Sequence, residues 1–219
     1  MQTPSANIPF INDTLKVHCL LFKGMSLELL IPVPSTIKAN YERLMQQGYA
    51  VPFPYWAQIW PAATALSTFL DNHDDYVFDK QVLELAAGLG LPSLVAAGLG
   101  AKKVCVSDQS EEAVQVLQQV INHNRFNNMV SLQLDWHQLP DNLHPDVLLL
   151  SDINYDPVEF ETLFHVLTHF LQKGTLIILS TPQRLIAKSF IKQFMPWCIR
   201  QENMQVNEVS VSIYVLEQS

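Results

Sequence analysis

Short apolar runs recur along most of this chain, and stretches with helical apolar spacing separate them. Strands that are buried on both faces read as continuous apolar runs, so this alternation predicts an α/β fold on a mostly parallel sheet. Five runs are predicted as such strands: residues 82–85, 104–106, 130–134, 146–150 and 175–180.

Helices are predicted between these strands, and the clearest covers residues 111–125. Further helices are predicted at 61–70, 157–171 and 185–194. Two more strands, at 199–204 and 209–216, complete a seven-stranded sheet. Polar and apolar residues alternate in the last strand, which favours an antiparallel strand at the end of the sheet. The pattern therefore predicts a three-layer, doubly wound α/β/α domain.

The start of the chain has a weaker pattern. Residues 15–33 alternate imperfectly around the turn signal Lys23-Gly24, which predicts a hairpin. Ser35 is placed to cap a following helix over 36–47. We therefore expect an extension, residues 1–50, that packs on a main domain, residues 51–219.

The turn after the first buried strand is the strongest chemical signal. Gly88 and Gly90 interrupt the strand, Pro92 opens a helix, and Asp108 ends the next strand about 20 residues on. A βαβ unit with a glycine turn and such an acid cradles a nucleotide-like ligand. As a dinucleotide fingerprint the turn is incomplete, because Ser93 stands where a third glycine or alanine belongs. The alternative is a tight turn without a ligand.

Three acids follow the predicted strands, where ligands bind in open α/β sheets. Asp108, Asp135 and Asp152 end the second, third and fourth strands. For Asp152 the alternative is a structural role, as the cap of the helix that begins near Pro157.

A proline-rich aromatic segment precedes the first buried strand. Trp56 and Trp60 stand there among prolines 52, 54 and 61. Each indole needs a partner for its N–H, and the two rings are placed to cover the ligand pocket as a lid. The alternative is that both belong to the core.

Composition narrows the class of protein. The 219 residues carry 13 Lys+Arg against 21 Asp+Glu, a net charge of −8 that repels nucleic acid. Three cysteines without a CxxC pair indicate free thiols and a reducing compartment. We see neither a signal peptide nor an apolar run that spans a membrane, so we expect a soluble, cytoplasmic protein. His165 and His169 have metal-ligand spacing on a helix but lack a third ligand nearby, so no metal is expected.

Taken together, these segments resemble the seven-strand protein-lysine methyltransferases of family 16, which use S-adenosylmethionine (AdoMet). The resemblance covers about residues 50–182. It is carried by residues 54–66 (PYWAQIWPAATAL), residues 83–90 (LELAAGLG), Asp108, Asp135-Trp136, and the pair Asp152 and Tyr155 in DINY. Ala86 stands where the family usually has glycine. The PYWA segment especially resembles the branch that methylates the electron-transfer flavoprotein beta subunit.

The resemblance implies a site for AdoMet, which becomes S-adenosylhomocysteine (AdoHcy), and a protein substrate with an accessible lysine. It implies cofactor contacts from Trp60, Glu84, Ala86, Ala87, Gly88, Gly90, Asp108, Gln109, Asp135, Trp136 and Ser151. It implies acceptor-site roles for Asp152 and Tyr155, and we add Trp56 as a substrate contact. Methyl transfer is an in-line displacement, so these residues would act mainly by positioning.

Other functions remain open at this point. Amino methyltransferases that act on nucleic acid carry two prolines where residues 153 and 154 are Ile and Asn, and a chain of −8 offers little to phosphates. A small-molecule N-methyltransferase of the nicotinamide type shares the fold. A non-catalytic binding module could also keep it, although Asp152 and Tyr155 are both intact. A dehydrogenase fits the glycine turn less well.

Overall fold

Residues 15–218 are the part of the chain that this computed structural model describes, and strands and helices alternate along its central part, from residue 81 to residue 194. The strands are β1 (Leu15–Phe22), β2 (Met25–Pro32), β3 (Gln81–Glu84), β4 (Lys103–Asp108), β5 (Met129–Gln133), β6 (Val147–Ser151), β7 (Leu176–Pro182), β8 (Cys198–Val206) and β9 (Val209–Leu216). The helices are α1 (Pro34–Gln46), α2 (Pro61–Asn72), α3 (Leu91–Gly98), α4 (Glu111–Asn124), α5 (Phe160–Gln172) and α6 (Lys188–Phe194).

One sheet carries the strand order β5-β4-β3-β6-β7-β9-β8. The pairs from β5 to β7 are parallel, and β9 is antiparallel to both β7 and β8. This confirms the predicted mostly parallel sheet with one antiparallel strand. The predicted position of that strand was wrong, because β9 lies inside the sheet and β8 forms its edge. Ser212 of β9 is buried and donates to the Asn203 side chain at 2.7 Å, whereas Ser210 stays exposed, so only part of the polar alternation in this strand faces solvent.

Apolar side chains on the two faces of the sheet form two core clusters. Val147 and Leu149 of β6 point into a cluster with α2, α3 and α4. Leu148 and Leu150 point into a second cluster with α5 and α6. This alternation along a strand with side chains on both faces confirms the predicted three-layer fold.

The N-terminal hairpin packs on the same core. Lys23 and Gly24 both have positive φ (39° and 77°), as a two-residue hairpin turn of the I′ type requires. Leu27 and Leu29 of β2 are buried in the cluster with α3 and α4. The Asn124 amide accepts from the backbone N–H of Glu28 at 2.9 Å and donates to its carbonyl at 2.7 Å. The division of the chain at residue 50 stays a prediction.

Two predicted helix starts were wrong. Val33 is the N-cap of α1 and no side chain caps this helix, so Ser35 lies inside its first turn behind Pro34, a residue suited to that position. Helix α6 begins at Lys188 and not at residue 185. The residues between β7 and α6 therefore form a turn, which matters for the site below.

The longest helix of the described residues, α4, has 14 residues. None of the helices in this part of the chain has the length and apolar character needed to cross a membrane. Nor does the described part bring together three or more His, Cys, Asp or Glu side chains that could hold a metal ion.

Candidate active site

The carboxyl ends of β3, β4, β5 and β6 open into a cleft of about 1280 Å³. Ligands of open α/β sheets bind at this end of the strands. Twelve of the fourteen predicted site residues line the cleft: Trp56, Trp60, Ala86, Ala87, Gly88, Asp108, Gln109, Asp135, Trp136, Ser151, Asp152 and Tyr155. The other two, Glu84 and Gly90, do not line it.

The turn after β3 brings backbone to the cleft. Ala86 and Gly88 both have left-handed φ, at 51° and 55°. Glycine adopts this conformation freely, whereas an alanine costs about 1–2 kcal/mol, so Ala86 holds a strained position. A Cβ on Gly88 would lie 3.2 Å from the carbonyl oxygen of Trp56. The segment that bears Trp56 and Trp60 (the tryptophan segment) therefore packs directly on the turn that bears Gly88 (the glycine turn).

Gly90 serves packing inside the fold. Its φ is 69°, and a Cβ there would lie 2.5 Å from Cδ2 of Leu117 and 3.1 Å from Cγ2 of Val106. Leu117 belongs to α4 and Val106 to β4. The absence of a side chain at Gly90 thus lets α4 approach the sheet, and the predicted cofactor contact from this residue has no counterpart in the cleft lining.

Glu84 is also directed away from the cleft. Its carboxyl group is fully buried, and Oε2 accepts from the N–H and the hydroxyl of Ser93 at 3.0 and 2.6 Å. Burial raises the pKa of Glu84 to about 8, against the opposing effect of the Ser93 hydrogen bonds. Ser93, the residue that breaks the dinucleotide fingerprint, therefore holds this buried acid in place.

Asp108 is the buried acid at the end of β4. Oδ2 accepts from the N–H of Gly88 at 2.9 Å, and Oδ1 accepts from the N–H of Ser110 at 3.0 Å. Burial raises the pKa of Asp108, and these backbone hydrogen bonds lower it. Each carboxylate oxygen keeps a further lone pair, so Asp108 can accept hydroxyl groups of a ligand in the cleft.

Asp135 and Trp136 form the wall beyond β5. Asp135 caps the short helical turn Trp136–Gln138 and accepts from the N–H and Nδ1 of His137 at 2.9 and 2.8 Å. The backbone hydrogen bond from His137 lowers the pKa of Asp135. The Trp136 indole donates to Glu159 Oε2 at 3.1 Å, which fixes the ring against the cleft.

Asp152 follows β6 and is buried. Its φ is 56°, and its N–H donates to the Ser180 carbonyl at 2.9 Å, so the backbone of the neighbouring strand β7 holds a strained residue in place. Its carboxylate accepts from both Nη atoms of Arg184, with Nη2 to Oδ2 at 2.9 Å. The predicted alternative that Asp152 caps a helix was wrong, because the Asp156 side chain accepts from the Val158 N–H at that turn.

Arg184 was not found from the sequence. It belongs to no motif, and the available signal was its place just after β7, at the same sheet end as the acids. Its side chain lines the cleft. The Asp152 carboxylate raises the pKa of the guanidinium, so the two groups form an ion pair.

A row of neighbouring aromatic rings runs along the cleft from Tyr41 of α1 to Tyr155. The ring centroids of Tyr55 and Tyr155 are 5.9 Å apart, and those of Tyr55 and Trp60 are 6.2 Å apart. Phe53 lies 5.0 Å from Tyr55 and 5.2 Å from Tyr41 of α1. Tyr41, Phe53 and Tyr55 also line the cleft and were missed, because their role depends on the packing of α1.

The charge of the cleft favours a cationic ligand. Six acidic residues line it: Asp108, Glu111, Glu112, Asp135, Asp152 and Asp156. Among residues 15–218, Arg184 is the one Lys or Arg that does so. Such a pocket attracts a positively charged group and repels phosphate.

The fold and site allow comparison with known proteins. A family model described as lysine methyltransferase matches residues 55–197, which is more than half of the chain. The chain belongs to this family. The matched range includes the tryptophan segment, the glycine turn and the strand ends that bear Asp108 and Asp152. The likeness to the branch that acts on electron-transfer flavoprotein stays a prediction.

Members of the family are named for different specificities. The histone-arginine methyltransferase METTL23 of Xenopus laevis is 36% identical over 126 residues, covering 54% of this chain and 53% of that protein. The protein N-terminal and lysine N-methyltransferase EFM7 of Cryptococcus neoformans is 32% identical over 130 residues, covering 50% of this chain and 42% of that protein. The chain thus spans about half the length of the curated relatives it matches.

A solved structure supports the fold. The 16S rRNA N2 G1207 methyltransferase RsmC of Thermus thermophilus, in complex with AdoMet and guanosine, superposes with a TM-score of 0.66 at 15% identity. The match covers 95% of this chain and 52% of that chain. This likeness shows the class I methyltransferase architecture.

Proposed function

We propose that this chain is an AdoMet-dependent methyltransferase that methylates a basic side chain of a protein, with lysine as the first candidate. The observation that carries the proposal is the shared cleft. The glycine turn and Asp108 line one part of it, and Asp152 with Tyr155 lines another.

The residues of the cleft fit the cofactor. Ala86 and Gly88 allow a ligand to approach the backbone, Asp108 can accept the ribose hydroxyls, and Trp136 offers a flat apolar wall to the adenine. The acidic lining favours a sulfonium. When bound, AdoMet supplies an electrophilic methyl group. Cofactor contacts from Trp60, Gln109, Asp135 and Ser151 belong to the same proposal.

In the part of the cleft that would hold the methyl acceptor, Asp152 would bind and orient the cationic side chain of the substrate. Positioning of this kind accounts for a large part of the rate of a displacement reaction. The Tyr155 ring can contact the same cation through its face. Burial raises the pKa of the Tyr155 phenol, so it stays protonated at neutral pH. A carboxylate favours the charged form of a bound amine, so we assign Asp152 the role of orientation and not that of a base. The bound ammonium must give its proton to solvent before its nitrogen can accept a methyl group.

A protein substrate is supported by the surface around the cleft. Exposed apolar side chains line it, namely Phe53, Tyr55 and Tyr155, and the exposed Val158 and Leu185 follow the lining residues Asp156 and Arg184 closely in sequence. Clusters of such side chains mark protein interaction sites. The names of the curated relatives agree with protein substrates, and the acidic cleft argues against nucleic acid.

Arginine is the second candidate for the acceptor. Asp152 holds a guanidinium in the two-pronged arrangement that arginine favours. The METTL23 relatives are named histone-arginine methyltransferases.

Two further predictions, on the cellular compartment and on the N-terminal extension, belong to the proposal. The three free thiols support a reducing compartment such as the cytoplasm. We also propose that the predicted extension, residues 1–50, completes the cleft of the domain 51–219 through α1, because Tyr41 and Leu44 line it; residues 1–14 of this extension lie outside the described residues.

The test uses labelled AdoMet and a lysate of the cells from which the protein comes. We expect label in a protein band, loss of that label by about a hundredfold or more in Asp152→Asn, and full label in the control Asp75→Asn. Asp75 is exposed in the turn between α2 and β3, at the opposite end of the sheet. Amino-acid analysis of the band separates methyl-lysine from methyl-arginine. Label in metabolites alone, or equal label in both variants, would contradict the proposal.

A further inference from the structure

The ion pair between Asp152 and Arg184 occupies the part of the cleft assigned above to the substrate. We propose that Arg184 is a built-in occupant of the acceptor subsite. Its guanidinium fills the place on Asp152 that the cationic side chain of the substrate takes, so substrate binding exchanges one cation for another. This inference rests on the proposed function for the identity of the entering cation.

The first support is the dependence of Asp152 on one partner. The Asp152 side chain is only 7% exposed. Within residues 15–218, every hydrogen bond to its carboxylate comes from Arg184. A buried carboxylate that loses its counter-ion without replacement is strongly destabilised. The carboxylate therefore needs a cation at all times, and a second cation enters only as the first leaves.

The second support is the freedom of Arg184 to leave. Its side chain is 34% exposed, so the guanidinium already borders solvent. It lies in the turn between β7 and α6, where the next residue, Leu185, is 91% exposed and adds little packing. The Arg184 backbone is held at both ends, by hydrogen bonds to the Pro182 carbonyl at 2.8 Å and from the Ala187 N–H at 3.2 Å. Rotation of the side chain alone would release Asp152.

The exchange has a consequence for specificity. A neutral side chain cannot replace Arg184, because it would leave the carboxylate uncompensated. A cation enters only if it contacts Asp152 about as well as a guanidinium does. Arg184 would thus raise the KM for every cationic substrate and exclude uncharged ones, which makes it a specificity-determining residue.

The test measures binding of two small cations, propylguanidinium and n-butylammonium, to the full chain by calorimetry without cofactor. We expect Arg184→Met, which keeps the chain length but has no charge, to bind at least one of them about tenfold or more tightly than the unmodified protein. The control Arg125→Met, at the C-terminus of α4 outside the cleft, should behave like the unmodified protein. The double variant Asp152→Asn with Arg184→Met should bind the probes no more tightly than the unmodified protein does. The two probes distinguish a preference for arginine-like from lysine-like cations.

A second measurement needs no variant. In the unmodified protein, the side-chain ¹⁵N signals of Arg184 should move toward those of a free guanidinium as the probe saturates. Equal probe affinity in the unmodified protein and Arg184→Met, undetectable binding to that variant, or unmoved Arg184 signals at saturation would overturn the inference. AdoHcy binding on the same samples tests the proposed function separately, because the cation exchange requires no cofactor.

Discussion

The two sides of the cleft are held in different ways. On the side of β3 and β4, backbone N–H groups fix the acids: Gly88 and Ser110 donate to Asp108, and Ser93 donates to Glu84. On the side of β6 and β7, the Arg184 side chain, which is about one-third exposed, fixes Asp152, and half-exposed aromatic rings also line the cleft. We call these the turn side and the acceptor side.

This difference gives the turn side a fixed geometry and the acceptor side an adjustable one. Backbone donors cannot move without refolding, so the turn side offers one geometry to a ligand that does not vary. Side chains rotate within nanoseconds when exposed, so the acceptor side can admit and release different partners. Substitutions on the turn side should therefore change stability or cofactor affinity, and those on the acceptor side should change transfer.

The largest expected effect concerns Glu84. Its folded pKa is about 8 against an ordinary value of 4.5. Between these values the folded chain keeps the proton and the unfolded chain has lost it, so stability falls as pH rises. The expected slope is about 1.4 kcal/mol per pH unit, or about 4–5 kcal/mol over the window. Urea unfolding of the unmodified protein and Glu84→Gln at several pH values measures it. Parallel pH profiles for the two proteins would contradict the burial of an ionisable acid on the turn side.

The second prediction concerns Gly90→Ala, which should lower the free energy of unfolding by about 2–4 kcal/mol. The methyl group would meet Leu117 at 2.5 Å on top of the strain of a left-handed alanine. The control Gly174→Ala also has positive φ, but its Cβ meets nothing within 4 Å. It should cost only the strain, about 1–2 kcal/mol. Equal losses in urea unfolding would show that α4 does not need the close approach.

Both predictions test features whose sequence signals were local. The hairpin turn, the glycine turn, the strand ends with acids and the amphipathic helix α4 follow from spacing along a few residues. The positions of Asp108, Asp152 and Trp136 in one cleft followed because parallel strands place their carboxyl ends together. The cofactor contacts predicted for Glu84 and Gly90 were misplaced. A motif specifies the residue type at a position, but it does not tell whether that residue contacts a ligand or a neighbouring part of the fold.

The missed residues depend on packing across long sequence distances. Arg184 meets Asp152 from 32 residues away, and Tyr41 reaches the cleft only because α1 packs beside residues 53–55. No local periodicity encodes such contacts. The inner position of β9 is of the same kind, because alternation along a strand does not tell which strands flank it.

The third prediction compares the two acids of the cleft. Asp108→Asn should weaken AdoHcy binding about tenfold, because it removes charge-assisted hydrogen bonds to the ligand hydroxyls. Asp152→Asn should leave this affinity within about twofold while transfer is lost. Calorimetry with AdoHcy measures both. Similar losses of affinity in the two variants would remove the distinction between the turn side and the acceptor side.

The smallest expected effect on stability belongs to Tyr155→Ala. The ring is about half exposed, so unfolding should change by no more than about 0.5 kcal/mol. Methyl transfer should still fall about three- to tenfold if the ring face contacts the cation. Tyr155→Phe keeps the face and should stay within about twofold of the unmodified protein. Transfer by Tyr155→Ala at the full rate would confine the acceptor side to Asp152 and Arg184.

The inner position of β9 has a consequence for synthesis on the ribosome. Strand β7 pairs with β6 on one edge and with β9 on the other, and β8 reaches the sheet only through β9. Until residues 209–216 have emerged, β7 presents an open row of N–H and C=O groups to any other nascent chain. The strand from which Ser180 holds Asp152 thus keeps an unpaired edge until β9 is made, and a chaperone that shields this row would protect the nascent chain from aggregation.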